Sequence, residues 1–241
     1  MKSLVLLLCS VIGLSHCVLI EWTAKDYPNP QDDPEACGRY PDKPSYVCDP
    51  NGLISRKAAD FLDHILLNLQ NDTKCPCSTY SCEGRQHSKG YIMAIALVEK
   101  IYKPENVQDT VDGRKGLVNQ FAFDLLRKRW NTWDTCDELI IIAFSKDDRI
   151  LTTVSGKTPL RVLTDPITKA IQIELARFFR DDGGNVGQGL HYLTMNYRRV
   201  LDGYNYYPIM YSDVVPDSAA NMIKVSIITS IITTVLLNIF C

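Results

Sequence analysis

Histidine is scarce in this chain, four in 241 residues, and none of the four stands where a reaction would need it. His16 falls in an opening apolar run, and His64, His87 and His191 belong to no nucleophile or zinc motif. An excess of either charge is also missing: 26 basic residues face 28 acidic ones, a net charge of -2. That balance excludes the basic surface by which a protein tracks nucleic acid. Phosphate and dinucleotide cradles fail on spacing. Gly156-Lys157-Thr158 ends like a phosphate loop, but Leu151 holds the place of its first glycine. The run GGNVGQG at 183–189 follows a helical pattern where a dinucleotide fingerprint would follow a strand. Cys75-Pro76-Cys77 lacks the two-residue spacer of a zinc knuckle.

What the chain does have is a greasy run at each end. Lys2, the apolar stretch 4–8 and Ser15-His16-Cys17 form the charged start, hydrophobic middle and small-residue exit of a secretory signal, which places residues 1–17 outside the mature protein. Residues 225–241 carry no charge and span about 25 Å as a helix, slightly short of a bilayer core. Two readings of 222–241 stay open: a single-pass helix, or the removable signal for a glycolipid anchor near Asp217-Ser218-Ala219-Ala220. Both tether an outward-facing domain to a membrane.

Cysteine usage suits that compartment. With Cys9, Cys17 and Cys241 in the terminal segments, the even set Cys37, Cys48, Cys75, Cys77, Cys82 and Cys136 remains for three disulfides, in any of fifteen pairings. Asn71-Asp72-Thr73 is an acceptor sequence for N-glycosylation.

Residues 18–50 are rich in Pro, Asp and Tyr, too broken by proline for a helix or central strand, and read as an extended arm stapled by Cys37 and Cys48. A domain over 51–202 follows. Ser55 caps a helix striped by Ala58, Phe61, Leu62, Ile65, Leu66 and Leu69. The runs YIMAIALV (91–98) and ELIIIAF (138–144) are strands covered on both faces, and 149–154 pairs with the second as a hairpin. Helices are expected over 117–130, from Asp165-Pro166 onward, and from Asn185 to about 201. This order predicts an α/β fold, a mixed sheet sandwiched between helices in a disulfide-stapled ectodomain. Residues 203–221 form a juxtamembrane stalk in which Tyr204, Tyr206, Tyr207 and Tyr211 suit either a partner contact or lipid headgroups.

The segments YVCDPNGLIS, FAFDLLRKRW, DELIIIAFSKDDRI, VSGKTPLRVLTD and FFRDDGGNVGQGLHYL occur in the order of the TPM domain, which residues 46–202 resemble. The terminal runs and the Cys-bearing arm resemble the animal branch of that family, the modulators of levamisole receptors, which implies an auxiliary subunit of acetylcholine-gated cation channels and no enzyme. Bacterial and plant relatives imply the alternative of a calcium-dependent phosphatase. Asp49 and Asp137 match the family's acidic positions at the sheet edge, where calcium would take their oxygens. Asp134 and the pair Asp181-Asp182 complete the acidic candidates. Read as residues alone, Asp49 is a turn former before Pro50-Asn51-Gly52, Asp137 caps a strand, and Asp181-Asp182 stand in a turn between helices. A structural extracellular domain with no channel partner is the third reading.

Overall fold

A computed structural model describes residues 21–83, 89–133, 136–181 and 183–205. The expected signal at 1–17, the anchor at 222–241, Tyr206, Tyr207, Tyr211, Asp134, Asp182 and His87 lie outside the described residues. Six strands are present among those described: β1 Glu21–Trp22, β2 Val47–Cys48, β3 Ile92–Val98, β4 Lys100–Ile101, β5 Leu139–Ser145 and β6 Ile150–Ser155. The helices are α1 Arg56–Asp72, α2 Thr79–Glu83, α3 Val111–Asp124, α4 Lys157–Leu160, α5 Asp165–Leu175 and α6 Val186–Leu201. The main sheet runs β2-β3-β5-β6, the first three strands parallel and β6 antiparallel on β5. It is the mixed sheet that the alternation of elements predicts.

Every residue of β3 and β5 is buried, because helices or arm cover both faces, so neither strand shows alternation. On one face, Met93, Ile95, Leu97, Ile140, Ile142 and Phe144 pack against α1, α5 and α6. On the other, the small side chains of Ala94, Ala96 and Ala143 leave room for Tyr27, Phe121 and Trp130. Large opposite small fills the layer at the density of a protein interior.

The arm departs from its expected form. Residues 21–50 are a chain of turns, and they supply core: Tyr27, Cys37 and Cys48 are fully buried. Val47 and Cys48 add the outer parallel strand β2, and Glu21–Trp22 pairs with β4. Proline confines such pairing to two-residue edge strands, which is where both lie. The boundary placed at residue 50 is therefore not a structural one: arm and domain share a core.

The third helix also differs. It begins at Val111, where the Thr110 side chain accepts a hydrogen bond from the Gly113 amide at 3.1 Å. Gly113 and Gly116 blank the apolar stripe there, which hides the first turns from periodicity. The segment closes with a π-helical turn, Leu125–Arg129, in which the Trp130 amide reaches back to the Leu125 carbonyl at 2.8 Å.

Candidate functional site

The two expected metal ligands fall at opposite ends of the sheet. Asp49 follows the carboxyl end of β2, level with Leu97 of β3 and Phe144 of β5. Asp137 precedes the amino end of β5, about 20 Å further down at roughly 3.3 Å per residue. No single ion bridges them. Strand direction is the cause: β2 and β5 run parallel with β3 between them, so the residue after β2 and the residue before β5 lie at different ends of the layer.

Each aspartate is engaged where it stands. One carboxylate oxygen of Asp49 accepts the Leu53 amide at 2.8 Å and the other the Ile54 amide at 2.9 Å, which closes the turn leading into α1. The next residue but one, Asn51, uses its side-chain oxygen for the Trp22 indole N–H at 2.8 Å and the Glu99 amide at 3.1 Å. Asp49 is 6% exposed, and burial pushes its carboxyl up to about 6, against the opposing pull of the amides of Ile54, Leu53 and Gly52 and of the Arg39 charge. A cleft of about 400 Å³ lies beside it, with Asp49 its sole carboxylate and Arg39 and Arg56 its cations. Calcium needs six to eight oxygens and tolerates cations poorly; this donor set does not fit it.

Asp137 holds the other end together. Its φ is +64°, its carboxylate accepts Arg127 Nη1 at 2.6 Å and the Lys157 amide at 2.9 Å, and its carbonyl accepts the Thr158 amide at 3.2 Å. The π-helical turn presents Arg127, and Gly156 leaves the space that lets β6 close against the Asp137 backbone. Next to it, Cys136 is disulfide-bonded to Cys77. Asp181 forms an exposed ion pair with Arg149 at 2.6 Å. The two aspartates act as structural clasps at either end of the parallel strands.

The disulfides resolve as Cys37–Cys48, Cys75–Cys82 and Cys77–Cys136. The sulfurs that come close enough together to suggest a metal are these same bonded pairs. Asn71 is exposed near the end of α1, whereas Thr73 is buried, its hydroxyl donating to the Leu69 carbonyl at 2.7 Å. Tyr204 is 60% exposed, and the Arg199 guanidinium lies 5.0 Å from its ring centre. His64 is on the surface, 3.1 Å from the Asn68 amide, and His191 is buried against Phe61. No described helix is long and apolar enough to cross a membrane.

Sequence reasoning missed the buried cation. Arg39 is 6% exposed and binds Asp60 at 2.6 Å and Asp63 at 3.1 Å. The clue is Asp63, an acid within the apolar stripe of α1, since a buried carboxylate demands a partner.

The family model described as modulator of levamisole receptor-1 matches residues 22–149, more than half of the chain, arm included. The chain belongs to that family. This modulator family is the branch that the terminal runs and the Cys-bearing arm resemble. The likeness in solved structures is more distant: the N-terminal domain of a protein from P. gingivalis, determined by solution NMR, superposes with a TM-score of 0.53 at 16% identity, over 80% of this chain and 99% of that domain. At such identity it shows the fold alone. No curated protein matches this chain.

Proposed function

We propose that this protein is a cell-surface accessory subunit that biases the gating of an acetylcholine-gated, levamisole-type cation channel. The observation that carries this reading is the family match, which spans the arm and the three parallel strands together. Three disulfides among the described residues fit an oxidising, extracellular setting. The engaged state of Asp49 and Asp137, and their separation, favour binding over phosphate chemistry, and the proposed role needs no cofactor.

A modulator acts by binding the open and closed channel unequally, because equal affinity for both shifts nothing. The apolar run at 222–241 explains how a weak contact suffices: an anchor of either kind holds the domain at high effective concentration beside its partner. The test is agonist-evoked current in cells expressing such a channel with and without this protein, at matched surface receptor number. A change in current at unchanged receptor number is expected. Unchanged currents across levamisole-type subunit combinations would remove the reading.

A further inference from the structure

β6 ends the sheet, and among the described residues no strand pairs with its outer edge. The hydrogen-bond phase along it follows from one contact: the Gly156 amide donates to the Leu139 carbonyl at 2.9 Å. With the antiparallel register that pairs Ile141 with Val154 and Ala143 with Thr152, alternate rungs face β5. The amides and carbonyls of Leu151, Thr153 and Ser155 therefore point outward. No backbone hydrogen bond outside the regular elements engages them among the described residues.

A groove of about 760 Å³ opens at the start of the same strand, where Ile150 and Leu151 line it. Both helical layers overhang it, α3 with Lys115 and α5 with Lys169 and Ile173, while Leu151 and Phe179 form part of its floor. Ile173 is 65% exposed and adds an apolar side chain to the lining. The rim is one-sided in charge. Lys115, Lys169 and Arg180 have no ion pair among the described residues, and the lining's one carboxylate, Asp181, is already paired with Arg149. The slot thus combines open backbone rungs, an apolar floor and an excess of cations.

We infer that the outer edge of β6 receives an extended, acidic segment of the partner protein as an added fifth strand. Backbone pairing supplies the affinity in this mode of recognition, and the groove's side chains select the sequence. The three unpaired cations favour carboxylates on the incoming strand. They also disfavour a second copy of the same basic edge, the usual hazard of an exposed strand. This inference rests on the channel-modulator reading, since it names the surface by which that partner is held.

A photo-cross-linking residue in place of exposed Ile173, in the full chain co-expressed with levamisole-type receptor subunits, tests it. Positions Tyr102 and Tyr204, also exposed, carry the same probe as controls. The expected result is a cross-link from position 173 to an Asp- and Glu-rich extended segment of a receptor subunit, falling about tenfold when Lys115→Glu and Lys169→Glu are added at equal surface delivery. Cross-links from position 102 or 204 with none from 173, or a 173 cross-link indifferent to the charge reversals, would overturn the groove while leaving the modulator reading in place. No cross-link from any position together with unchanged current would remove both.

Discussion

The hydroxyl of Tyr27 lies 2.9 Å from the carbonyl oxygen of Leu97 and 2.8 Å from that of Cys48. One side chain of the arm thereby ties the carboxyl ends of two neighbouring parallel strands. The ring is fully buried, with Phe121 edge-on at 5.2 Å, and burial, followed by the nearby Asp49 charge, pushes the phenol well above its usual range. Tyr27→Phe keeps the ring and removes the O–H donor that these two carbonyls share, so it should cost about 1–3 kcal/mol. Tyr27→Ala also opens a cavity and should cost about 3–5 kcal/mol. Urea unfolding of the two variants separates the hydrogen bond from the packing.

Arg39 makes the second connection between arm and sheet domain. Removing it in Arg39→Ala leaves Asp63 buried with only the Tyr46 amide, at 2.7 Å, for company. Breaking one side of a buried pair is expected to cost about 3–5 kcal/mol. Adding Asp63→Asn to Arg39→Ala should restore part of the loss, and a double-mutant cycle on unfolding free energy reads the coupling directly. Purely additive effects would mean that the pair contributes nothing.

The strands and three of the long helices are legible in the sequence because each is long and strongly patterned: YIMAIALV and ELIIIAF are apolar throughout, and Ser55, Asp165-Pro166 and Asn185 punctuate the helices. What escapes reading has a physical cause in each case. Val47 and Cys48 are too few to show a period, and their pairing with Ile95 and Ala96 is a tertiary fact. The sites are less legible than the fold. Asp49 and Asp137 look equivalent as acids at strand ends, and only the direction of β2 relative to β5 separates them. The groove on β6 has no local signal, since its floor and rim come from β6, the 3-10 turn after α5, and two helices on opposite faces.

Asp49 should leave a mark on pH dependence. Its carboxyl titrates at about 6 in the fold and near 3.8 when unfolded, so between these values the folded state binds more protons. Stability therefore falls as pH rises from 4 to 6, by about 3 kcal/mol in full, and is level on either side. Asp49→Asn lacks the titration. The variant should gain on the natural protein by about that amount between pH 4 and pH 7, whatever its stability at a single pH. Urea midpoints at the two pH values check it; a constant difference would mean that Asp49 titrates normally.

The three disulfides should not be equivalent. Cys75–Cys82 closes a loop of separation 7, Cys37–Cys48 one of 11, and Cys77–Cys136 one of 59. Chain entropy removed from the unfolded state grows slowly with loop length, so double serine substitution should cost about 4 kcal/mol for the longest loop and nearer 2–3 kcal/mol for the two short ones. Position modifies this order. The sulfurs of Cys37 and Cys48 are buried beneath the arm, beside Asp49 and Gly38, whose φ is +70° and whose backbone approaches the Asp49 carbonyl. Serine hydroxyls there would be left in an apolar layer, adding about 1–3 kcal/mol. Cys75–Cys82 lies in the insert between α1 and β3, where both cysteines are partly exposed and hydroxyls reach water. The expected ranking of melting temperatures thus puts Cys75→Ser/Cys82→Ser closest to the natural protein and the other two pairs well below it. If the 75–82 pair were the most damaging, the insert would be organising the domain, in place of the arm.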